Sequence, residues 1–207
     1  MIDLALLCLF SGELLGQTVI RTLTGPPGAA IADSYGPGGD LTGDGVGDVV
    51  AGAMQPSGTV FVFSGVDGVI AQTITAPIPF VGFGHSVAGG TDISGDGVPD
   101  ILVGAYLGPQ QEGRVYVYSG ASFTLIRTHV GVAGQNLGEP VVFLDDLDGD
   151  QVPEYAAGAT HDSGTFRAPE VGQAYVYSGA TGVTLYPLIG EHAGDLFGDA
   201  IASMGLV

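Results

Sequence analysis

Three short segments of this chain place oxygen-bearing side chains at every second position. The first carries Asp40, Thr42, Asp44 and Asp48, the second Asp92, Ser94, Asp96 and Asp100, and the third Asp146, Asp148, Asp150 and Glu154. Counting the first Asp as position one, these side chains fall at one, three, five and nine. In a tight loop, alternate side chains converge on one centre. A hard cation such as Ca2+ takes roughly 6–8 oxygens at about 2.3–2.6 Å, mixing carboxylates with a backbone carbonyl. The carbonyls expected to join are those of position seven, Val46, Val98 and Val152. Position six is Gly45 and Gly97 in the first two loops, where glycine admits the positive φ of a sharp turn. The third loop has Gln151 there, at a cost of about 1–2 kcal/mol if the conformation is left-handed. It also has a third Asp and the longer Glu154, so charge favours the cation while Gln151 opposes it.

An EF-hand needs a bidentate Glu at position twelve and flanking helices. Position twelve is Ala51, Val103 and Ala157, and the residues that follow each loop read as buried strands, so no loop qualifies. Asp/Gly turns without metal are the competing reading. Three copies at one ligand spacing favour the metal, and the expectation is about three calcium ions per chain, each structural.

The remaining chemistry is sparse. The formal net charge is −18 with only four Lys plus Arg, which disfavours phosphate backbones and anionic membrane surfaces, so no nucleic-acid partner is expected. The acids are concentrated, since 11 of the 22 lie in or beside the three loops, Asp145 included. His85, His129, His161 and His192 share no motif, and Arg21, Arg114, Arg127 and Arg167 are scattered. There is no Gly-x-Ser-x-Gly elbow, His-Glu-x-x-His or phosphate loop, and carboxylate pairs of the glycosidase kind are better explained as metal ligands. No catalytic residue and no organic cofactor are expected. A segment at Thr160–Val171, holding His161, Asp162, Arg167 and Glu170, reads as a solvated variable loop rather than a site.

The loops must be held by something, and the chain around them repeats with them. Their first Asp residues, 40, 92 and 146, lie 52 and 54 residues apart. Each loop runs into an apolar stretch, Val49–Ala53, Ile101–Ala105 and Tyr155–Ala159. Each is followed in phase by a β-branched and aromatic run ending in Ser-Gly: Thr59–Gly65, Arg114–Gly120 and Gln173–Gly179. A further strand-like piece follows each run (Val69–Thr75, Leu125–Val130, Leu185–Ile189), and Thr18–Thr24 matches it ahead of the first unit. A short apolar piece precedes each loop, clearest in Phe83–Ala88 and echoed by Phe197–Ala202. Four short strands in such a period suit a blade of a β-propeller. The fold expected is therefore all-β, with four-stranded blades.

Phe-Gly, then the Asp-rich loop, then Val-Gly-Ala, then Val-Tyr-Val-Tyr-Ser-Gly resembles the FG-GAP repeat. That repeat is the blade unit of integrin α-subunit propellers and of related bacterial extracellular proteins. The resemblance spans about Thr18 to Val207 and is strongest in the second unit. Ile31-Ala32 replaces Phe-Gly in the first, and Leu137-Gly138 in the third. It implies blades at about 28–75, 80–131 and 135–190, with a partial unit over 191–207. It also implies a trailing inner strand, and a ring completed by remaining blades of a longer chain or by a second copy.

The resemblance further implies an extracellular or cell-surface, calcium-binding module with a protein- or glycan-interaction role. The alternative is the propeller part of a secreted carbohydrate-active enzyme. Leu4–Phe10 is the one candidate for the apolar part of a leader, within a segment 1–17, although Asp3 and the absence of an early Lys or Arg weaken it. No 18-residue apolar stretch reads as a membrane span. Cys8, the single cysteine, excludes an intrachain disulfide.

Overall fold

The computed structural model describes residues 22–31, 33–54, 58–78, 82–160, 171–192 and 194–204. The leader segment, most of Thr18–Thr24, the insert residues His161, Asp162, Arg167 and Glu170, and Val207 lie outside them. Among the described residues there are twelve strands and no helix, so none is long and apolar enough to cross a membrane. The first sheet holds β1 (Ser34–Gly39), β2 (Asp48–Ala53), β3 (Thr59–Phe63) and β4 (Ile70–Thr75). The second holds β5 (Phe83–Thr91), β6 (Asp100–Ala105), β7 (Arg114–Tyr118) and β8 (Leu125–Val130). The third holds β9 (Leu137–Phe143), β10 (Tyr155–Ala159), β11 (Gln173–Tyr177) and β12 (Thr184–Ile189). Each is an antiparallel meander in chain order, and none closes into a barrel.

Burial explains the composition of each strand. β6 and β10 are buried at every residue and β2 at all but one, which is why they read as unbroken apolar runs. β8 and β12 are largely exposed. Along β3 the side chains split between two faces. Val60 and Val62 join Ile74, Phe83, Ile101 and Tyr116 in the core between the first and second sheets. Phe61 and Phe63 face the other way, beneath Leu23. The second and third sheets share a core in which Leu102, Val115 and Val117 meet Leu137, Phe143 and Tyr155. Each of these side chains contributes about 1.5–3 kcal/mol by leaving water.

The Phe of Phe-Gly and the Gly of Val-Gly-Ala belong to one contact. Phe83 is fully buried, edge-on to Tyr116 with ring centroids 5.5 Å apart. Gly84 takes φ +87° and turns its carbonyl onto Gly52 of the preceding sheet, where a Cβ would lie 1.9 Å from the oxygen. Gly138 meets Gly104 in the same way, and Gly198 meets Gly158. Ser34 Oγ adds a hydrogen bond of 2.9 Å to the Gly84 carbonyl, and the Val141 N–H donates to Ser86 Oγ at 2.9 Å.

One expectation is corrected here. The trailing inner strand does not form over Phe197–Ala202. Phe197 makes an isolated bridge with Gly172, and Gly198 to Met204 have no strand pairing. In the three sheets a first strand pairs with the second strand of its own unit. Residues 198–204 have no such partner among the described residues.

Candidate metal centres

Each acidic loop joins the first and second strands of its sheet, so all three hang from equivalent sheet ends: 40–47 between β1 and β2, 92–99 between β5 and β6, and 144–154 between β9 and β10. One hydrogen-bond frame shapes them. The position-one carboxylate gathers N–H groups from across the turn. Asp92 Oδ1 accepts from Gly95 N at 2.7 Å and Oδ2 from Gly97 N at 2.8 Å. Asp40 accepts from Gly43, Asp44 and Gly45, and Asp146 from Gly149 and Gln151. Position five caps position seven: Asp44, Asp96 and Asp150 accept from Val46, Val98 and Val152 at 2.8–2.9 Å. In the second loop the Ser94 hydroxyl lies 3.3 Å from an oxygen of both Asp92 and Asp100. Ser94, at position three, thus lies between the carboxylates of positions one and nine.

The turn needs two left-handed residues, one more than sequence reasoning singled out. Position four is Gly43, Gly95 and Gly149, all at positive φ, and its recurrence as glycine in every copy was the available signal. At position six Gly45 and Gly97 have φ of +84° and +86°, and Gln151 adopts +72°. The third loop therefore keeps the same backbone at a steric cost.

The position-nine acids are buried. Asp48 Oδ2 accepts from Leu41 N and Thr42 N, and Oδ1 from Gly65 N at 2.9 Å. Asp100 repeats this with Ile93 N, Ser94 N and Gly120 N. The Ser-Gly that ends each third strand also docks the loop through its glycine. A Cβ on Gly120 would lie 1.7 Å from the Pro99 carbonyl oxygen, and one on Gly65 or Gly179 would lie 2.1 or 1.9 Å from that of Gly47 or Pro153. Glu154 departs from the pattern. Its Oε2 accepts from Leu147 N, while Oε1 is buried with no partner. The Glu carboxylate stands one methylene further from its backbone than Asp48 and Asp100 do.

The electrostatics follow. Burial works against ionisation of Asp92, but the N–H groups of Gly97 and Gly95 and the Ser94 hydroxyl outweigh it and hold the carboxyl below the usual range. Burial pushes the Asp100 carboxyl up, and its hydrogen bonds from Ile93, Gly120 and Ser94 offset only part of that.

Two of the three loops bring their acids together. One carboxylate oxygen from each of Asp146, Asp148, Asp150 and Glu154 lies within 4.8 Å of the others, and Asp92, Asp96 and Asp100 converge likewise. Asp40, Asp44 and Asp48 make no such group. The donors are all oxygen, which suits a hard cation. The buried, unpartnered Glu154 Oε1 is an acceptor that such a cation would satisfy.

Several other titratable groups among the described residues are engaged in structure. His129 Nε2 lies 2.7 Å from the Tyr155 hydroxyl, and its ring stacks on Tyr177 at 4.0 Å. Burial, with a smaller push from Arg127, lowers its pKa to about 4. Arg127 donates to the Gly179 and Ala180 carbonyls of the next sheet, and Arg114 pairs with Glu112 at 2.7 Å. The His85 ring lies tilted against Tyr106 with centroids 4.3 Å apart, and exposed His192 lies 3.7 Å from Asp195.

Three meander sheets packed face to face, each with an acidic loop between its first two strands, define an incomplete β-propeller of repeated blades. Known proteins agree. The family model described as "FG-GAP repeat" matches residues 83–118. Integrin alpha-V of Gallus gallus is 31% identical over 183 residues, covering 79% of this chain and 17% of that protein. Integrin alpha-8 of Gallus gallus is 32% identical over 136 residues, covering 58% and 13%, and integrin alpha-4 of Xenopus laevis is 30% identical over 164, covering 73% and 15%. The chain is an FG-GAP repeat protein of the integrin α-like kind. It spans about a sixth of the length of the relatives it matches.

Proposed function

We propose that this chain is a calcium-stabilised propeller module of an extracellular or cell-surface protein, with a non-catalytic role in binding a protein or glycan partner. The observation that carries the calcium reading is the convergence of Asp146, Asp148, Asp150 and Glu154 within 4.8 Å, with Glu154 buried and half unsatisfied. In the third loop those four carboxylates and the Val152 carbonyl would hold the ion. In the second the holders would be Asp92, Ser94, Asp96, Asp100 and the Val98 carbonyl. The first loop, with Asp40, Thr42, Asp44, Asp48 and the Val46 carbonyl, has the same frame but acids that do not converge, and is the weakest of the three.

The bound ion supplies charge neutralisation and no redox or hydrolytic chemistry. Without it the loop carboxylates repel one another at short range. With it the folded state gains by linkage. A rigid set of blades would then present the connections at the sheet ends opposite the acidic loops, such as 106–113, to a partner. The extracellular setting is supported by the similarity to integrin α chains.

Calorimetric titration of chelator-treated protein with calcium, with magnesium as control, tests this reading. The expected result is saturation at two to three ions per chain with a rise in melting temperature. Absence of any calcium response would overturn it.

A further inference from the structure

We infer that the ninth-position acid plays two different parts in this chain: Asp48 and Asp100 are staples that hold their loops closed, whereas Glu154 is held for the cation, so the third loop is the one whose folded form depends on calcium. This rests on the calcium reading above and assigns that dependence to one loop.

The two staples are satisfied without metal. Asp100 Oδ2 takes the N–H groups of Ile93 at 2.9 Å and Ser94 at 2.8 Å, and Oδ1 takes Gly120 N at 3.1 Å and the Ser94 hydroxyl at 3.3 Å. Asp48 has the same partners one unit earlier, from Leu41, Thr42 and Gly65. Both oxygens of each carboxylate are occupied by the protein itself. A cation at the second loop would share an oxygen that is already bonded.

Glu154 is fully buried, takes one N–H from Leu147 on Oε2, and leaves Oε1 with no partner. A buried acceptor left unsatisfied is costly, and more so when charged. One carboxylate oxygen from each of Asp146, Asp148 and Asp150 lies within 4.8 Å of a carboxylate oxygen of Glu154. None of them can donate a hydrogen while ionised. Within that cluster a cation is the group that satisfies Oε1 and removes the repulsion together. The same residues make the loop poor when empty and strong when filled, and Gln151 at positive φ adds to the cost of the empty state.

The test compares two isosteric substitutions in the whole chain by melting temperature, in chelator and in excess calcium, together with calcium titration. Glu154→Gln removes a charge, and its amide can donate to the neighbouring carboxylates. In chelator its melting temperature should rise by about 2–4 °C over the parent. In excess calcium it should fall below the parent, with one class of sites weakened on the order of tenfold. Asp100→Asn puts an amide nitrogen against backbone N–H donors and should lower the melting temperature in both conditions. Should Glu154→Gln fail to fold, Asp150→Asn carries the same test, because Asp150 is exposed and accepts one N–H, from Val152. It too should gain in chelator and lose in calcium. A fall in chelator for the third-loop variants, as for Asp100→Asn, would make Glu154 a staple and overturn the inference while leaving the calcium reading intact. A parent that ignores both chelator and calcium would overturn both.

Discussion

The Cα of Gly104 faces the carbonyl oxygen of Gly138 across two sheets so closely that a Cβ on Gly104 would lie 2.0 Å from that oxygen. The obstacle is backbone, not the end of a flexible side chain, so relief requires the third sheet to move away from the second. Gly104→Ala should therefore cost about 3 kcal/mol or more by overpacking. Gly47→Ala, at a position with no atom within 4 Å of the added Cβ, should stay within about 0.5 kcal/mol of the parent. Denaturant midpoints for the two variants check the contrast.

Gln151 holds a left-handed backbone, φ +72°, where the other loops have glycine. Gln151→Gly relieves that strain but loosens the unfolded chain, so the net gain should be about 0.5–1 kcal/mol. The Gln151 N–H to Asp146 is retained, because it comes from the backbone. The same substitution should also tighten calcium binding, since the folded loop is the binding form. Equilibrium unfolding with and without calcium reads both effects.

His129 sets a pH dependence. Its pKa is lowered to about 4 from an ordinary 6.5, first by burial and then by Arg127. The unfolded chain therefore takes up this proton before the folded chain does. The contribution is fully present above pH 6.5 and is lost as pH falls from 6.5 towards about 4. Because the ring is partly exposed, the loss should be discounted to on the order of 1–2 kcal/mol. His129→Gln should flatten the stability slope over that window, measured in chelator so that loop occupancy does not vary. An unchanged slope would show that the imidazole is as free to protonate in the fold as outside it.

Asp96 accepts from Val98 N and from the Ser119 hydroxyl, and so joins the second loop to the turn after β7. Asp96→Ala removes a calcium ligand and both hydrogen bonds. It should lower the melting temperature in chelator modestly, by the loss of about 1 kcal/mol per bond. The loss should be larger in calcium, where one site fails to fill. Melting curves in the two buffers separate the terms. Equal losses in both would mean that the second loop holds no ion.

Much of this could be read from the chain itself. Thr59–Phe63, Arg114–Tyr118 and Gln173–Tyr177 were legible as strands because β-branched and aromatic residues alternate there. The loops were legible because three copies share one ligand spacing. Less legible were the contacts that join the units. Gly52, Gly104 and Gly158 looked like ordinary members of apolar runs, and only the neighbouring sheet shows that each faces a carbonyl. Gly65 and Gly120 looked like turn residues, although their N–H groups close the acidic loops.

By itself the sequence determined the repeat and the strand order within each unit. These follow from local periodicity and chain connectivity, which operate over a few residues. Tertiary structure decided what identical spacing cannot distinguish: that the acids of the second and third loops converge while those of the first do not, and that Asp48 and Asp100 are satisfied while Glu154 is not. Those differences depend on ångström-scale placement of carboxylates against backbone N–H groups some seventeen to twenty residues away in the chain, and only the packed sheets set that distance.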